Sequence, residues 1–218
     1  METFEQRLKR YTSENDLEIF GWLTIYLQNA YLRELRLAKE NQIYHCAYLI
    51  THSIIQMISE NMFGLTGKDG TKFYLESFVD EGAADEKFSL ITDEIHDARN
   101  VMAHQGYSSL QHRVEYFAND IAEGWKQEAG TVYINPDIYA EQFENAFNHG
   151  THVQKYRQQT DEIRIIRKYK YIRQWLRLDK MNLIAQEIKK LETYTNIQDI
   201  RNQESVVQQM IYNAYGIT

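Results

Sequence analysis

The chain has 218 residues, 43% of them hydrophobic and 25% charged, and its formal net charge is −7. This length can bury a working core, and the single cysteine, Cys46, excludes a disulfide framework and any multi-cysteine zinc or iron–sulfur site. The acidic balance argues against a general nucleic-acid coat protein, because such binding depends on neutralising phosphates.

The N-terminal segment and the hydropathy of the chain predict a cytoplasmic protein with no membrane partner. Residues 1–12 are charged and lack the apolar centre of a signal peptide. No stretch approaches the roughly 18 consecutive apolar residues of a membrane span. A lone cysteine also fits a reducing compartment.

The spacing of apolar residues predicts an all-α protein. They recur at intervals of three and four, and the chain has one proline and ten glycines. Asp16 is a candidate N-cap for the first long helix, and Gly106 is expected to end the third. The predicted helices of this part are 16–39, 42–62, 73–79, 85–105 and 108–124. Together they predict an up-and-down helical bundle over residues 1–125.

Residues 126–218 are predicted to form an additional helical C-terminal region. Within it, 131–134 is the one plausible strand, and Pro136 opens a short helix that runs to about residue 148. Thr160 and Asp161 begin a further helix with many basic residues. The boundary at 125 rests on the size of the first bundle, and one continuous domain is the alternative.

Arg99, Asn100 and His104 form a chemically specific cluster near the end of the third long helix. At 100° per residue they fall on or beside the face opposite the apolar positions. His104 lies in the last turn, where the helix dipole favours a protonated imidazole that suits a general acid. The Arg99 guanidinium matches phosphate geometry, and Asn100 adds amide donors and an acceptor. The cluster therefore predicts a phosphodiester site, and an ordinary solvated face is the alternative.

In these residues the sequence resembles the HEPN family (the higher eukaryote and prokaryote nucleotide-binding domains). Ribonuclease members of that family carry an Arg-polar-x-x-x-His motif, often with Asn in the polar place, and Arg99, Asn100 and His104 match it. The resemblance covers the helices from about Asp16 to Gly124, with two long helices first and the motif late.

The resemblance implies a homodimer whose two motifs face a shared cleft and cut RNA without a metal or other cofactor. His104 would transfer protons, Arg99 would stabilise the pentacoordinate phosphorane, and Asn100 would orient the phosphate or the imidazole. Asp97, about one turn before Asn100, is a supporting residue. Such an enzyme would act in defence, stress response or a toxin–antitoxin pair, with any antitoxin a separate protein.

The helix that follows Thr160 is strongly basic, since residues 155–180 hold nine Lys or Arg against three Asp or Glu. Tyr169, Tyr171 and Trp175 lie among these charges, a mixture typical of RNA contact. The alternatives are long basic stems that cover a core helix, and binding to an acidic partner. The candidate RNA-binding residues are Arg164, Arg167, Lys168, Lys170, Arg173 and Arg177.

Two rival functions remain open from the sequence. The first is a non-catalytic module of the same fold that binds nucleotide, RNA or a protein partner. The second is a metal-binding bundle, because His45 and His52 lie seven residues apart and His96 and His104 lie eight apart. The carboxylate-rich Glu-x-x-His pairs of di-iron bundles are absent from the sequence, so we predict no metal.

Overall fold

The computed structural model describes residues 2–81, 87–105, 112–114 and 123–217, and the described chain is predominantly α-helical, as predicted. No helix in these ranges has both the length and the apolar character needed to cross a bilayer. The helices are α1 (Phe4–Ser13), α2 (Asp16–Tyr26), α3 (Leu32–Glu40), α4 (Tyr44–Ile58), α5 (Gly67–Tyr74), α6 (Thr92–Gln105), α7 (Pro136–Ala146), α8 (His149–Arg157), α9 (Asp161–Arg173), α10 (Leu178–Leu191) and α11 (Ile197–Tyr215). The strands are β1 (His112–Val114), β2 (Trp125–Glu128) and β3 (Thr131–Ile134).

The first two predicted helices are confirmed close to their predicted ends. The first runs from α2 through a π-helical segment, Leu27–Tyr31, into α3. The second is α4 with a π-helical segment, Ser59–Phe63, and it stops at Gly64, whose φ of 70° is the left-handed conformation expected after a helix end. The third long helix is a 3₁₀ turn, Phe88–Ile91, followed by α6. Gly106, its predicted stop, lies outside the described residues.

The short helix predicted from residue 73 begins earlier, at Gly67. The side chain of Gln56, on α4, explains the early start. Its Oε1 accepts from the Gly67 backbone N–H at 3.0 Å, and its Nε2 donates to the Gly67 carbonyl oxygen at 3.0 Å. Gly67 has a φ of 58°, which glycine adopts without strain. The helix continues through a π-helical segment, Leu75–Val79.

The chain divides into two compact units, and the first comprises Thr24–His152. Its core contains fully buried rings. Tyr48 of α4 lies 5.3 Å from Tyr139 of α7, between ring centroids, and Tyr139 lies 4.9 Å from Phe88. The Tyr48 hydroxyl donates to the Ile95 carbonyl oxygen at 2.7 Å, which ties α4 to the start of α6.

A small sheet belongs to the same unit, with β3 between the other two strands. β1 runs parallel to β3, and β2 runs antiparallel to it. Ala129 and Gly130 join β2 to β3 with φ of 48° and 79°, as expected of a two-residue turn that needs positive φ at both positions. The predicted strand at 131–134 is confirmed, and its Val132 and Ile134 are buried.

The prediction of a helix over 108–124 is wrong where the structure describes it. Residues 112–114 form β1 and pair with β3, which the local pattern could not reveal because the partner lies about twenty residues later. The boundaries of the compact units also differ from the predicted domain boundary at 125. Both β2 and α7 belong with α4 and α6, and the Asn135 N–H donates to the Gly124 carbonyl oxygen at 2.9 Å.

The second unit comprises Met1–Leu23 and Val153–Thr218. α1 begins with a capping box in which Thr3 and Gln6 exchange hydrogen bonds. Phe20 packs on Tyr156 at 4.7 Å and on Tyr171 at 5.6 Å between centroids, and α9, α10 and α11 complete the core. The predicted start of α9 after Thr160 is confirmed.

Gly124→Ala is expected to destabilise the protein. A Cβ at Gly124 would lie 2.7 Å from Cζ and 3.2 Å from Cε2 of Phe88, whose side chain is fully buried. Overpacking of this kind costs about 1–3 kcal/mol, to be measured by urea denaturation. Gly150→Ala is the control, since its Cβ meets only the Asn148 Oδ1 atom at 3.2 Å. Equal stability of the wild type and Gly124→Ala would contradict this packing.

Candidate functional site

α6 has one apolar face and one polar face, as its spacing predicts. Ile95, Ala98 and Met102 are buried in the core. On the other side, the side chains of Asp93 and Asp97 are 71% and 42% exposed. The motif residues therefore lie on a helix whose rotation is fixed by its buried side.

Arg99 and Asn100 are bound to each other on this helix. Arg99 Nη1 donates to Asn100 Oδ1 at 2.9 Å, and both residues are partly buried. The amide oxygen of Asn100 thus orients the guanidinium. The Asn100 amide N–H groups and the other guanidinium N–H groups donate to no described residue. The backbone of His104 lies in α6, one turn after Asn100, and its side chain lies outside the described residues.

Two histidines that the motif does not contain lie next to it. His52, on α4, is fully buried, and its ring lies 5.5 Å from the ring of His96, between centroids. Neither ring nitrogen of His52 has a hydrogen-bond partner among the described residues, and the same holds for Nδ1 of His96. An unpartnered imidazole in the core is costly, because a buried polar group has given up its hydrogen bonds to water.

Both imidazoles are held neutral. Burial lowers the pKa of His52 to about 3, with further contributions from His96 and from the positive charge of Arg99. Burial also lowers the pKa of His96; Asp97 works against this, and Arg99 adds to it. The arrangement is a permanent cation beside two neutral rings, of which the partly exposed His96 can accept a proton.

Asp97, the predicted supporting residue, pairs with Lys68 of α5. The Lys68 ammonium lies 3.4 Å from Oδ1 of Asp97 and 3.6 Å from Oδ1 of Asp93. The two carboxylates lie on the polar face of α6, and Lys68 reaches them from α5, so that it offsets two negative charges that would otherwise repel an anion. A direct role of Asp97 in the motif stays a prediction.

The sequence carried one signal for the buried histidine. His52 follows Tyr48 by one helical turn, and Tyr48 faces α6, but the buried location depends on how α4 and α6 pack. Of the four histidines weighed as metal ligands, His52 and His96 come together. Among the described residues, no group of three or more His, Cys, Asp and Glu side chains is placed to hold a metal ion.

In the basic helix α9, the charged groups of Lys168 and Arg164 bind other residues of the same compact unit. The Lys168 ammonium is buried and donates to the carbonyl oxygens of Thr12 at 3.0 Å and Glu14 at 2.9 Å. The Arg164 guanidinium pairs with Asp161 and Asp16. These two cations tie α9 to residues near the end of α1 and the start of α2, and the Lys168 ammonium is buried rather than held in water.

The remaining basic candidates differ in how exposed they are and in whether they form ion pairs. Lys170 pairs with Glu192 at 2.9 Å, while burial lowers the pKa of the Arg167 guanidinium. Arg173 is exposed, and the exposed Arg177 lies 3.4 Å from Asp179. RNA contact by this helix stays a prediction, and Arg173 is the residue of α9 best exposed to make it.

Acidification is expected to destabilise the protein through two buried histidines. Burial lowers the pKa of His152 to about 4, and that of His52 to about 3. A free imidazole titrates near pH 6.5, so below that pH the unfolded chain binds protons that the folded chain excludes. Between pH 7 and pH 5 each histidine should therefore lower the free energy of unfolding by about 2 kcal/mol. Urea denaturation across this range measures the loss, and a flat profile would contradict it.

At pH 7, His152→Leu is expected to lower the free energy of unfolding, whereas His52→Leu should leave it unchanged or raise it. Replacing His52 removes two buried nitrogens that have no hydrogen-bond partner among the described residues, so the free energy of unfolding should stay the same or rise. Replacing His152 strands the Tyr74 hydroxyl, which lies 2.9 Å from His152 Nε2. The Asn148 carbonyl oxygen loses the Nδ1 contact at 2.6 Å but keeps the backbone N–H of residue 152 at 3.1 Å. The stranded hydroxyl should cost about 1–3 kcal/mol. Thermal denaturation compares the two variants with the wild type. Equal destabilisation by both would contradict the difference in hydrogen bonding between His52 and His152.

Comparisons with known proteins find no relative of this chain. No protein-family model, curated protein or solved structure matches the chain. The resemblance to the HEPN family therefore depends on Arg99, Asn100 and His104 and on the order of the helices before them.

Proposed function

We propose that the chain is a metal-independent endoribonuclease that uses Arg99, Asn100 and His104. The supporting observation is the 2.9 Å hydrogen bond between Arg99 and Asn100 on the polar face of α6. A guanidinium already oriented by its neighbour needs little reorganisation when charge develops on a phosphate, and such preorganised groups contribute strongly to catalysis.

The proposed reaction is transesterification within the RNA. The 2′-hydroxyl loses its proton and its oxygen bonds to the adjacent phosphorus, while the bond from phosphorus to the 5′-oxygen breaks and that oxygen takes up a proton. The products carry a 2′,3′-cyclic phosphate and a 5′-hydroxyl. In this proposal His104 transfers protons, Arg99 bears the charge of the phosphorane, and Asn100 holds Arg99 in place.

We further propose that two copies of the chain share one cleft, as the resemblance implies, and that the protein works in the cytoplasm in defence, stress response or a toxin–antitoxin pair. A separate antitoxin would then cover the motif. Sedimentation of the full chain tests the first part, because a monomer that still cleaves RNA at low concentration would exclude a shared cleft.

A non-catalytic module of the same fold is the second candidate. The observation that favours it is that His52 and His96 are both held neutral, so that neither supplies a proton donor beside Arg99 at pH 7. Such a module would bind nucleotide, RNA or a protein partner through Arg99 without cutting. Binding without cleavage across varied RNAs, with Arg99→Ala abolishing binding, would favour this candidate.

His104→Ala is expected to abolish cleavage of end-labelled RNA in excess chelator, because it removes the group that transfers protons. The wild type should leave cyclic-phosphate or 3′-phosphate ends, identified by mass spectrometry. His45→Ala is the matched control, since His45 lies on α4 outside the motif and its loss should leave cleavage unchanged. Cleavage that survives His104→Ala would overturn the proposed role of this histidine.

Asn100→Ala and Arg99→Lys are expected to slow cleavage with the fold retained. Without the Asn100 oxygen the guanidinium loses its fixed orientation, and misplacement of a catalytic group can cost about 10²-fold in rate. A lysine at 99 keeps the charge but loses the forked donors, which should cost about 10²–10³-fold. Arg33→Lys, at an exposed position on α3, is the control. Wild-type rates in both motif variants would contradict the proposal.

A further inference from the structure

In the proposed transesterification, two protons move at two different oxygens. The 2′-oxygen gives up a proton while the 5′-oxygen receives one, and in-line displacement places these oxygens on opposite sides of the phosphorus. The first transfer needs a neutral base and the second a protonated acid, so one imidazole cannot fill both roles at once. His104 lies in the last turn of α6, where the helix dipole favours the protonated acid, and the base is still unassigned.

His96 lies on the same helix, one turn before Arg99 and Asn100. Positions 96, 100 and 104 follow each other at intervals of four and fall along one stripe of α6. At a rise of 1.5 Å per residue, the backbone of residue 96 lies about 6 Å before that of Asn100, and residue 104 lies about 6 Å after it. The proposed phosphate-binding pair is therefore flanked along the helix by one histidine on each side, as in-line displacement requires of a base and an acid.

The His96 imidazole is half-buried, and its two nitrogens differ in their surroundings. Nδ1 is buried, whereas the exposed half of the ring carries Nε2, which has no hydrogen-bond partner among the described residues. Cε1 faces the start of α5, where Gly67 has no side chain to cover it, and a Cβ there would lie 4.0 Å away. His52, the other histidine near Arg99, is fully buried and cannot touch a substrate. Of these two histidines, only His96 is placed to take a proton from one.

The surroundings of His96 keep its imidazole in the neutral form that a base requires. Burial lowers the pKa of His96, and the nearby guanidinium and ammonium lower it further, against the effect of two carboxylates. The neighbouring imidazole of α4 is itself neutral. The titratable and charged groups around His96 are Asp93, Asp97 and Arg99 on α6, Lys68 on α5 and His52 on α4.

We propose that His96 is the general base of the RNA cleavage and His104 its general acid, a division of roles that rests on the proposed ribonuclease function. Nε2 of His96 takes the proton of the 2′-hydroxyl as the 2′-oxygen bonds to phosphorus. The bond from phosphorus to the 5′-oxygen breaks, and that oxygen takes a proton from the His104 imidazolium. Arg99 bears the charge that develops on the phosphate between them. Each turnover leaves His96 protonated and His104 neutral, and proton exchange with water restores both.

His96→Gln is expected to lower kcat/KM for RNA by about 10²–10⁴-fold at pH 7 in excess chelator, the usual contribution of a general base. In the wild type, kcat/KM should rise with pH through a midpoint below 6.5, where His96 loses its proton, and this acidic limb should be missing in the variant. Loss of a residue that only supports the fold would lower kcat/KM evenly and leave the limb in place. His45→Gln, at a half-buried histidine of α4 outside the motif, is the control and should behave as the wild type.

A substrate with sulfur in place of the 5′-oxygen at the cleavage site separates the two histidines. A thiolate leaves without being protonated, so that loss of the acid costs little with this substrate, whereas loss of the base costs as much as before. His104→Ala should therefore cleave the 5′-thio substrate at close to the wild-type rate, and His96→Gln should stay as slow as on RNA. Should His96→Gln unfold, the wild type decides alone, because on this substrate its profile should keep the acidic limb and lose any alkaline one.

Three results would overturn the role of His96 and leave the proposed function intact. They are a wild-type rate in folded His96→Gln, an evenly lowered rate with the acidic limb retained, and rescue of His96→Gln by the 5′-thio substrate. In each of these cases the wild type still cleaves RNA and His104→Ala does not, and circular dichroism at each pH establishes that the protein is folded. Absence of RNA cleavage by the wild type would instead overturn both the ribonuclease and the role of His96.

Discussion

The hydroxyl of Tyr48 donates to the carbonyl oxygen of Ile95 in the buried layer between α4 and α6. This bond satisfies a buried tyrosine and at the same time fixes how α6 is rotated and shifted along α4. One turn further along α4, His52 comes to lie beside His96, and Arg99 follows one turn later on α6. The positions of the candidate site residues therefore depend on this contact.

Electrostatics near the motif follow from the same packing. Because α6 covers His52, the ring is buried and neutral, and the positive charge of Arg99 adds to the cost of protonating it. Arg99 in turn is oriented by Asn100 and left partly accessible. The polar face of α6 thus presents one oriented permanent cation, which is what a phosphodiester requires of a binding group.

Local sequence patterns sufficed for features that depend on neighbours along the chain. The two long N-terminal helices, the strand at 131–134, the start of α9 and the two faces of α6 were all predictable from spacing and caps. Features that depend on distant segments were not. β1 needs β3 as its partner, and Gly67 begins α5 because Gln56 holds it.

The candidate site shows the same division. The motif on α6 could be read from the sequence because its residues lie within six positions of each other. The burial of His52 could not, since it depends on another helix. The location of the Lys168 ammonium could not be predicted either, because its acceptors are backbone oxygens of Thr12 and Glu14, more than 150 residues away.

In the reaction that we propose, the 2′-hydroxyl of RNA is the nucleophile at a site built on Arg99, Asn100 and His104. The decisive experiment compares two labelled oligonucleotides of the same sequence, one all-RNA and one with a single 2′-deoxy nucleotide at the position that the wild type cleaves, both in excess chelator. We expect cleavage of the first and none of the second at that position. Equal cleavage of both would exclude the 2′-hydroxyl as the nucleophile.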